Sequence, residues 1–156
     1  MVYKLSIEHD AQNDLALMVE QGGQSRKFAA ILLAFLQQLK ADQSLLGELL
    51  THEYENKSFN VSRFQSIWRD RDVWRLKTFE WDISQTNKTV IPYRIIYAYD
   101  SKCTAFRVLA IVYRRHNDPR SYDYEHDHPI TQRILKAYNE LGLPVFKSHY
   151  VGKYKH

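Results

Sequence analysis

The sequence predicts an α+β fold, in which a small antiparallel sheet follows an N-terminal helical hairpin and precedes a C-terminal helix. Three neighbouring segments, 73–81, 91–100 and 104–114, are rich in β-branched and aromatic residues and are joined by short turns. Apolar residues recur at helical spacing before them, in 26–40, and after them, in 129–141. This order favours helices on one face of a three-stranded sheet and an opposite face left free for function.

The N-terminal region is predicted to be one strand followed by two helices. Residues 2–8 alternate between polar and apolar side chains, which is typical of a strand. Asp10 is placed to cap a helix over 11–20, and the glycine pair at 22–23 ends that helix. The apolar stripe in 26–40 predicts the second helix of a hairpin. We assign core packing to both helices and no chemistry.

The remaining segments are less uniform. Residues 41–72 show little periodicity apart from one helical turn around 44–50. Pro129 stands in a first-turn position and Gly142 follows the last apolar residue, so a helix is expected between them. No repeat or linker divides the sequence, and we expect residues 1–156 to form a single domain.

Composition restricts the class of protein. A chain of 156 residues buries about 68–70% of its unfolded surface, which is enough for a real core. No apolar run approaches the roughly 20 residues of a membrane span, so no membrane partner is expected. The one cysteine, Cys103, excludes an internal disulfide, and the N-terminus lacks the pattern of an export signal. We expect a cytoplasmic protein.

The charge of the chain is concentrated in a way that suits nucleic acid. Lysine and arginine outnumber aspartate and glutamate by 22 to 18, which alone decides nothing. Residues 57–77, however, interleave six cations with phenylalanine and tryptophan. Cations hold a phosphate backbone and aromatic faces stack on bases. The alternative is that the aromatic side chains enter the core and the cations face water.

Basic side chains from all three central strands are expected to converge. Period two puts Arg75 and Lys77 on one face of the first strand, Arg94 lies in the second, and Arg114 and Arg115 end the third. Such a group can clamp a phosphate and stabilise the charge that develops during its cleavage. A sheet face with scattered, solvated cations is the alternative.

The loop after the third strand contains the residues from which a metal site could be built. Its candidate ligands are His116, His126, Asp127 and His128, but three nearby arginines disfavour a dication and the spacing matches no known ligand pattern. Asp127 or His128 could instead be the cap before Pro129. We therefore predict neither a metal nor a cofactor.

Several motifs resemble a known family of toxins. The segment "IPYRIIYAYD" (91–100), a strand ending "LAIVYRR" and a helix beginning "HPITQRIL" are similar, in that order, to the second half of the RelE/ParE toxin superfamily. "VWRLK" upstream resembles the strand on which those toxins present basic residues. The likeness covers 73–140, whereas over 1–40 only the order of elements agrees. Residues 41–72 and 142–156 are then an insertion and a C-terminal extension, since family members are usually shorter.

The resemblance implies the toxin of a type II toxin–antitoxin pair, which a small protein antitoxin holds inactive. RelE-like members cleave mRNA in the ribosomal A site, without a metal, through a cluster of Lys, Arg and Tyr or similar residues. ParE-like members instead poison DNA gyrase by binding it and need no such cluster. This chain is closer to the RelE-like members, because it has cations at all three strand positions.

The same resemblance implies roles for the basic residues. Lys77, Arg94 and Arg115 would act on the scissile phosphate. Four further arginines would bind RNA, namely Arg75, Arg114, Arg63 and Arg71.

The residue that transfers protons is less well defined. The segment "HNDPRSYD" breaks the register with the family, so its catalytic tyrosine corresponds either to Ser121 or to Asp127. Tyr124 is our candidate. Its competitors are His116, Tyr122, His126 and His128.

The predicted function is therefore that of a metal-independent mRNA endonuclease toxin, with a cognate antitoxin, the ribosome and mRNA as partners. A ParE-like gyrase poison and a nucleic-acid-binding module without toxicity are the alternatives.

Overall fold

The structure, a computed structural model, describes residues 2–146 and has the α+β class that the sequence predicts. Within this range N-terminal helices precede most of a five-stranded, mostly antiparallel sheet, and one helix follows it. None of the helices described is long and apolar enough to cross a membrane. In chain order the elements are β1 (Lys4–Ile7), α1 (His9–Gln21), α2 (Gly23–Lys40), α3 (Gln43–Glu48), β2 (Phe59–Arg63), β3 (Val73–Trp81), β4 (Lys88–Asp100), β5 (Ala105–Tyr113) and α4 (Pro129–Glu140).

The sheet has two more strands than the predicted three, in the order β1-β5-β4-β3-β2. The predicted strands are its centre, and each pairs antiparallel with its neighbour. β1 adds to one edge, parallel to β5, and β2 adds to the other, antiparallel to β3. The prediction missed β2 because five residues offer too little alternation to stand out. The pairing of β1 joins segments about a hundred residues apart, a distance over which local patterns carry no information.

The start of α1 differs from the prediction. The helix begins at His9, and Glu8 occupies the cap position without a side-chain cap bond. Asp10 is therefore not the cap and lies in the first turn, where a negative charge still favours the helix dipole. The end at the glycine pair is confirmed, because Gly22 has φ +69° and Gly23 φ +56°, a region that disfavours residues with a Cβ.

Helices α1, α2 and α3 cover one face of the sheet. Their buried leucines, such as Leu15, Leu32 and Leu46, pack against aromatic side chains of the central strands. Tyr97 is fully buried among them, and its hydroxyl donates to the Leu49 carbonyl at 2.6 Å. The assignment of these helices to core packing is confirmed.

The opposite face is only half free, which corrects the expectation of an open face. α4 and the segment 64–72 pack on it, with Tyr138 and Trp68 in one apolar cluster with Ile96 of β4. α4 is amphipathic and needs an apolar surface of its own to bury. The uncovered half lies towards the ends of β3 and β5 and contains the basic residues.

The two segments interpreted as additions are partly integrated into this fold. Residues 41–72 contribute α3 and β2. Residues 142–146 return to the 70–71 region, where Leu143 is buried and the Phe146 amide donates to the Asp70 carbonyl at 2.7 Å. The rest of the predicted extension, 147–156, lies outside the described residues.

A basic cavity at the end of the sheet

Cations from three adjacent strands line a cavity of about 760 Å³ on the uncovered half of the second face. We call it the basic cavity. Its other wall is the loop after β5, and this loop contributes the aspartates Asp118 and Asp123. The cations are Arg75 and Lys77 of β3, Arg94 of β4, and Arg114 and Arg115 after β5.

The strand register explains why these side chains meet. Lys77 lies directly opposite Arg94, and Arg94 lies opposite Val112 on its other side. Arg75 precedes Lys77 by two residues and Arg114 follows Val112 by two, so both point to the same face. Directly opposite Cβ atoms are about 4.5–5.5 Å apart and diagonal ones about 7–8 Å. The period-two prediction for Arg75 and Lys77 thus agrees with the structure.

Three of these cations have no carboxylate partner among residues 2–146. Arg75 donates to the Asn60 side-chain oxygen at 3.1 Å, and Arg94 donates to the Ile91 carbonyl at 3.0 Å. Lys77 makes no hydrogen bond or ion pair within this range. Asn60 was not predicted to belong to the site, because its strand, β2, was not recognised in the sequence. Neutral partners orient a guanidinium without neutralising it, which leaves its charge available to an anion.

The fourth cation, Arg114, is firmly held. It forms an ion pair with Asp123 at 2.9 Å, donates to the Tyr122 carbonyl at 2.9 Å, and its guanidinium lies 4.8 Å from the centre of the Tyr124 ring. Arg115 is different. Its side chain is exposed and has no hydrogen-bond or ion-pair partner among the residues described, while its backbone amide donates to Ser121.

Burial and mutual repulsion lower the pKa values of these cations. Burial lowers the pKa of Lys77, the charges of Arg75, Arg94 and Arg114 lower it further, and the charge of Glu55 opposes the shift without an ion pair to Lys77. Burial also lowers the pKa of Arg94 to about 10. The guanidinium stays charged at neutral pH, and its burial beside other cations makes that charge unfavourable. A phosphate placed there would relieve both causes at once.

Tyr124 lies at the inner edge of the basic cavity with its hydroxyl buried and without a hydrogen-bond partner in the structure described. Its ring packs edge to face against Phe64 and Trp68, with centroids 4.9 and 6.1 Å away. Burial raises the pKa of the phenol, although the neighbouring arginines oppose the shift. The ring positions Arg114, whereas the hydroxyl does not reach the open space of the cavity.

The competing candidates for proton transfer separate clearly by position. Tyr122 is buried and hydrogen-bonded to Thr131, and burial raises its pKa to about 12. His128 caps α4 by accepting a hydrogen bond from the Ile130 amide, so of the two predicted caps, Asp127 and His128, it is His128 that has this role. His126 is exposed but does not line the basic cavity, whereas His116 is exposed and does.

Two of the predicted RNA-binding arginines lie away from the cavity. Arg63 is 7% exposed, and its Nε donates to Asp72 at 3.0 Å. Arg71 pairs with Asp70 at 2.8 Å and reaches Asn139 of α4 at 3.2 Å. Both hold the segment 64–72 against the rest of the fold, and neither lines the basic cavity.

The two aspartates that line the basic cavity are already engaged, Asp123 with Arg114 and Asp118 with residues outside the lining. Asp118 accepts from the Tyr113 hydroxyl at 2.5 Å and pairs with Arg120 at 2.8 Å. The hydrogen bond from Arg120 and that from Tyr113 lower the pKa of Asp118. Within residues 2–146, no three His, Cys, Asp or Glu side chains are grouped so that they could hold a metal ion.

Comparison with models of known protein families, with curated proteins and with solved structures gave no match. The likeness to RelE/ParE toxins therefore depends on the motifs in 73–140 and on the order of the elements.

Proposed function

We propose that this chain is a metal-independent endoribonuclease of the RelE-like kind, a toxin that cleaves mRNA on the ribosome and is held inactive by a protein antitoxin. One observation carries the nuclease part of the proposal. Lys77, Arg75 and Arg94 converge on one concave surface without carboxylate partners among residues 2–146. A structural cation cluster is normally neutralised by acids, whereas an anion-binding site leaves its charge available. The toxin and antitoxin parts rest on the family resemblance.

RNA is the polyanion best suited to this cavity. Its 2′-hydroxyl is an internal nucleophile, so cleavage needs no metal-bound water. Attack of the 2′-oxygen on phosphorus forms a new P–O bond and breaks the bond to the 5′-oxygen. The products are a 2′,3′-cyclic phosphate and a free 5′-hydroxyl. The protein must remove the 2′-proton, stabilise the additional negative charge on phosphorus, and return a proton to the 5′-oxygen.

The residues of the basic cavity divide these tasks by their chemistry. Arg75 and Arg94 bind the non-bridging phosphate oxygens, with Arg115 free to move onto them. Lys77 in its neutral form removes the 2′-proton, because its lowered pKa increases the fraction of free amine. His116 donates a proton to the 5′-oxygen, since its exposed ring lines the cavity. Tyr124 is a positioning residue for Arg114, because its hydroxyl is buried.

The test uses the purified full chain, translating ribosomes and a defined mRNA. Primer extension should reveal cuts that occur only with ribosomes. The cuts should persist when transition metals are chelated while the magnesium that ribosomes require is kept. The variant R94M should lose cleavage while its circular dichroism spectrum stays native. K102M is the matched control, because Lys102 is exposed in the turn between β4 and β5 at the far end of these strands. Full cleavage by R94M would defeat the assigned site.

The main alternative, poisoning of DNA gyrase, is separated by a second measurement. If the chain inhibits supercoiling by gyrase and leaves mRNA intact, the nuclease proposal is wrong. If it binds RNA and does neither, it is a binding module. Growth arrest on expression, relieved by the product of an adjacent small reading frame, would support the toxin and antitoxin part separately from the chemistry.

A further inference from the structure

A second cavity, of about 690 Å³, lies on the other side of the loop after β5. It is bounded by the start of α2, the first half of β4 and the end of β5, on the face of the sheet that the N-terminal helices cover. Arg115 lines both this cavity and the basic cavity. The two spaces are therefore neighbours, and a guanidinium that has no partner among residues 2–146 lies between them.

The lining of the second cavity differs from that of the first. Three aromatic side chains form an apolar part, in which Tyr93 stacks edge to face on Tyr113 at 5.3 Å and lies 6.0 Å from Phe28. Around them are the side-chain amides of Gln21 and Gln24, which have no hydrogen-bond partner among the residues described. Aromatic faces stack on bases, and amides form paired hydrogen bonds with base edges.

The charges at the second cavity are suited to an anion at its mouth only. Arg120 is held by Asp118 at 2.8 Å, and its guanidinium lies 5.3 Å from the centre of the Tyr113 ring. Lys27 and Arg115 remain exposed and unpaired within residues 2–146. Glu80 also lines the cavity, so one carboxylate lies beside these cations. A ligand with an aromatic body and an attached phosphate fits this division, whereas a purely apolar ligand would leave the cations and amides without partners.

We propose that the second cavity binds one nucleoside of the RNA, next to the phosphate that the basic cavity holds. The base lies among Phe28, Tyr93 and Tyr113, and the amides of Gln21 and Gln24 contact its edge. Arg115 binds the phosphate that joins this nucleoside to the nucleotide in the basic cavity. This inference rests on the proposed function, because it names a subsite of the same substrate. It gives the cleavage a base preference, because the second cavity offers aromatic faces and side-chain amides together.

Isothermal titration with each of the four ribonucleoside 5′-monophosphates, and with inorganic phosphate, tests the subsite directly. At least one nucleotide should bind tenfold or more tightly than phosphate. S25W should abolish that difference, because Ser25 lines the cavity and its hydroxyl is 3.2 Å from that of Tyr93. Q24A should weaken the preferred nucleotide several-fold and serves as the milder variant if S25W does not fold. The control K136A, on α4, should change nothing.

Cleavage kinetics separate failure of the subsite from failure of the proposed function. With an RNA that is cleaved, Q24A should raise KM and flatten the preference at one base position while kcat is retained. Cleavage that is unchanged in both S25W and Q24A, both shown to be folded, would overturn the subsite and leave the nuclease intact. Nucleotide binding without any RNA cleavage would leave the subsite and overturn the nuclease. Equal binding of nucleotides and phosphate would overturn the subsite.

Discussion

Lys77 of β3 lies directly opposite Arg94 of β4, and neither has a carboxylate partner among residues 2–146. Like charges that face each other across a strand pair destabilise a sheet. Burial adds to this cost and lowers the pKa of both groups. An arrangement that destabilises the fold is typical of a functional site, where a ligand of opposite charge removes the cost.

Replacing Lys77 by methionine should make the protein more stable and inactive. Methionine keeps most of the length of the side chain and removes the charge that faces Arg94. We expect the free energy of unfolding in urea to rise by about 0.5–1 kcal/mol. Cleavage should fall at least about 100-fold, because the proton acceptor is lost. K102M, in the exposed turn, should change the stability by no more than about 0.5 kcal/mol. A less stable K77M that still cleaves RNA would contradict both arguments.

In the variant H116A, whose remaining cleavage does not depend on an imidazole acid, the cleavage rate should rise with pH up to a pKa below the ordinary 10.5 of lysine. The neutral amine is the active form, and burial with neighbouring cations disfavours the ammonium, so the rising limb shifts to lower pH. Single-turnover rates from neutral to alkaline pH measure this directly. The double variant H116A/K77R should lose the rising limb, since arginine does not deprotonate in this range.

The same shift predicts a gain of stability at alkaline pH. Between the folded pKa of Lys77 and 10.5, the unfolded chain binds more protons than the folded one. The contribution of Lys77 to the free energy of unfolding therefore increases as pH rises through that window and is least below it. The comparison of wild type with K77M isolates the contribution, and a difference that does not change across the window would show that the pKa of Lys77 is unshifted.

Tyr124 and His116 should respond in opposite ways. Y124F removes a buried hydroxyl that has no hydrogen-bond partner in the structure described, so it should stabilise the fold by about 1 kcal/mol and leave cleavage little changed. H116A should lower cleavage by about 100-fold or more and leave stability unchanged, because His116 is exposed. Thermal unfolding and single-turnover cleavage of both variants decide the matter. The reverse pattern would assign proton transfer to the phenol.

Arg63 should contribute to the stability of the fold and not to RNA affinity. Its guanidinium donates to Asp72 at 3.0 Å, and Asp72 also accepts from the Trp74 indole at 2.8 Å. R63A should therefore lower the free energy of unfolding by about 3 kcal/mol, the usual effect of removing one partner of a buried ion pair. RNA affinity of the folded variant, measured below its unfolding temperature, should equal that of the wild type. A tenfold loss of affinity would restore Arg63 to the binding site.

The central strands were predictable because their signal is local. Residues 73–81 coincide with β3, and the predicted strands 91–100 and 104–114 differ from β4 and β5 by a few residues at their ends. Each contains enough β-branched and aromatic side chains in one run to indicate a strand without reference to the others. β2 could not be recognised in the same way, because five residues at a sheet edge depend on β3 for their hydrogen bonds.

The roles of the arginines were only partly predictable. Arg75 and Arg94 were assigned to one surface from alternation and motif, and the structure places both at the basic cavity. Arg63 belongs to an equally basic stretch of sequence, but its partner Asp72 lies nine residues away, on the far side of the turn between β2 and β3. Residue type and charge density do not distinguish an arginine that is neutralised from one that is available.

By itself the sequence determined the strand and helix content of the centre of the fold and the fact that Arg75 and Lys77 share one side of β3, because periodicity acts between near neighbours. Only the tertiary structure decided that Lys77 faces Arg94, that Arg63 is buried against Asp72, and that Arg115 stands between two cavities. Those facts depend on strand register, loop path and burial. They arise when segments distant in the chain pack together, and they decide which charges face water and which face each other.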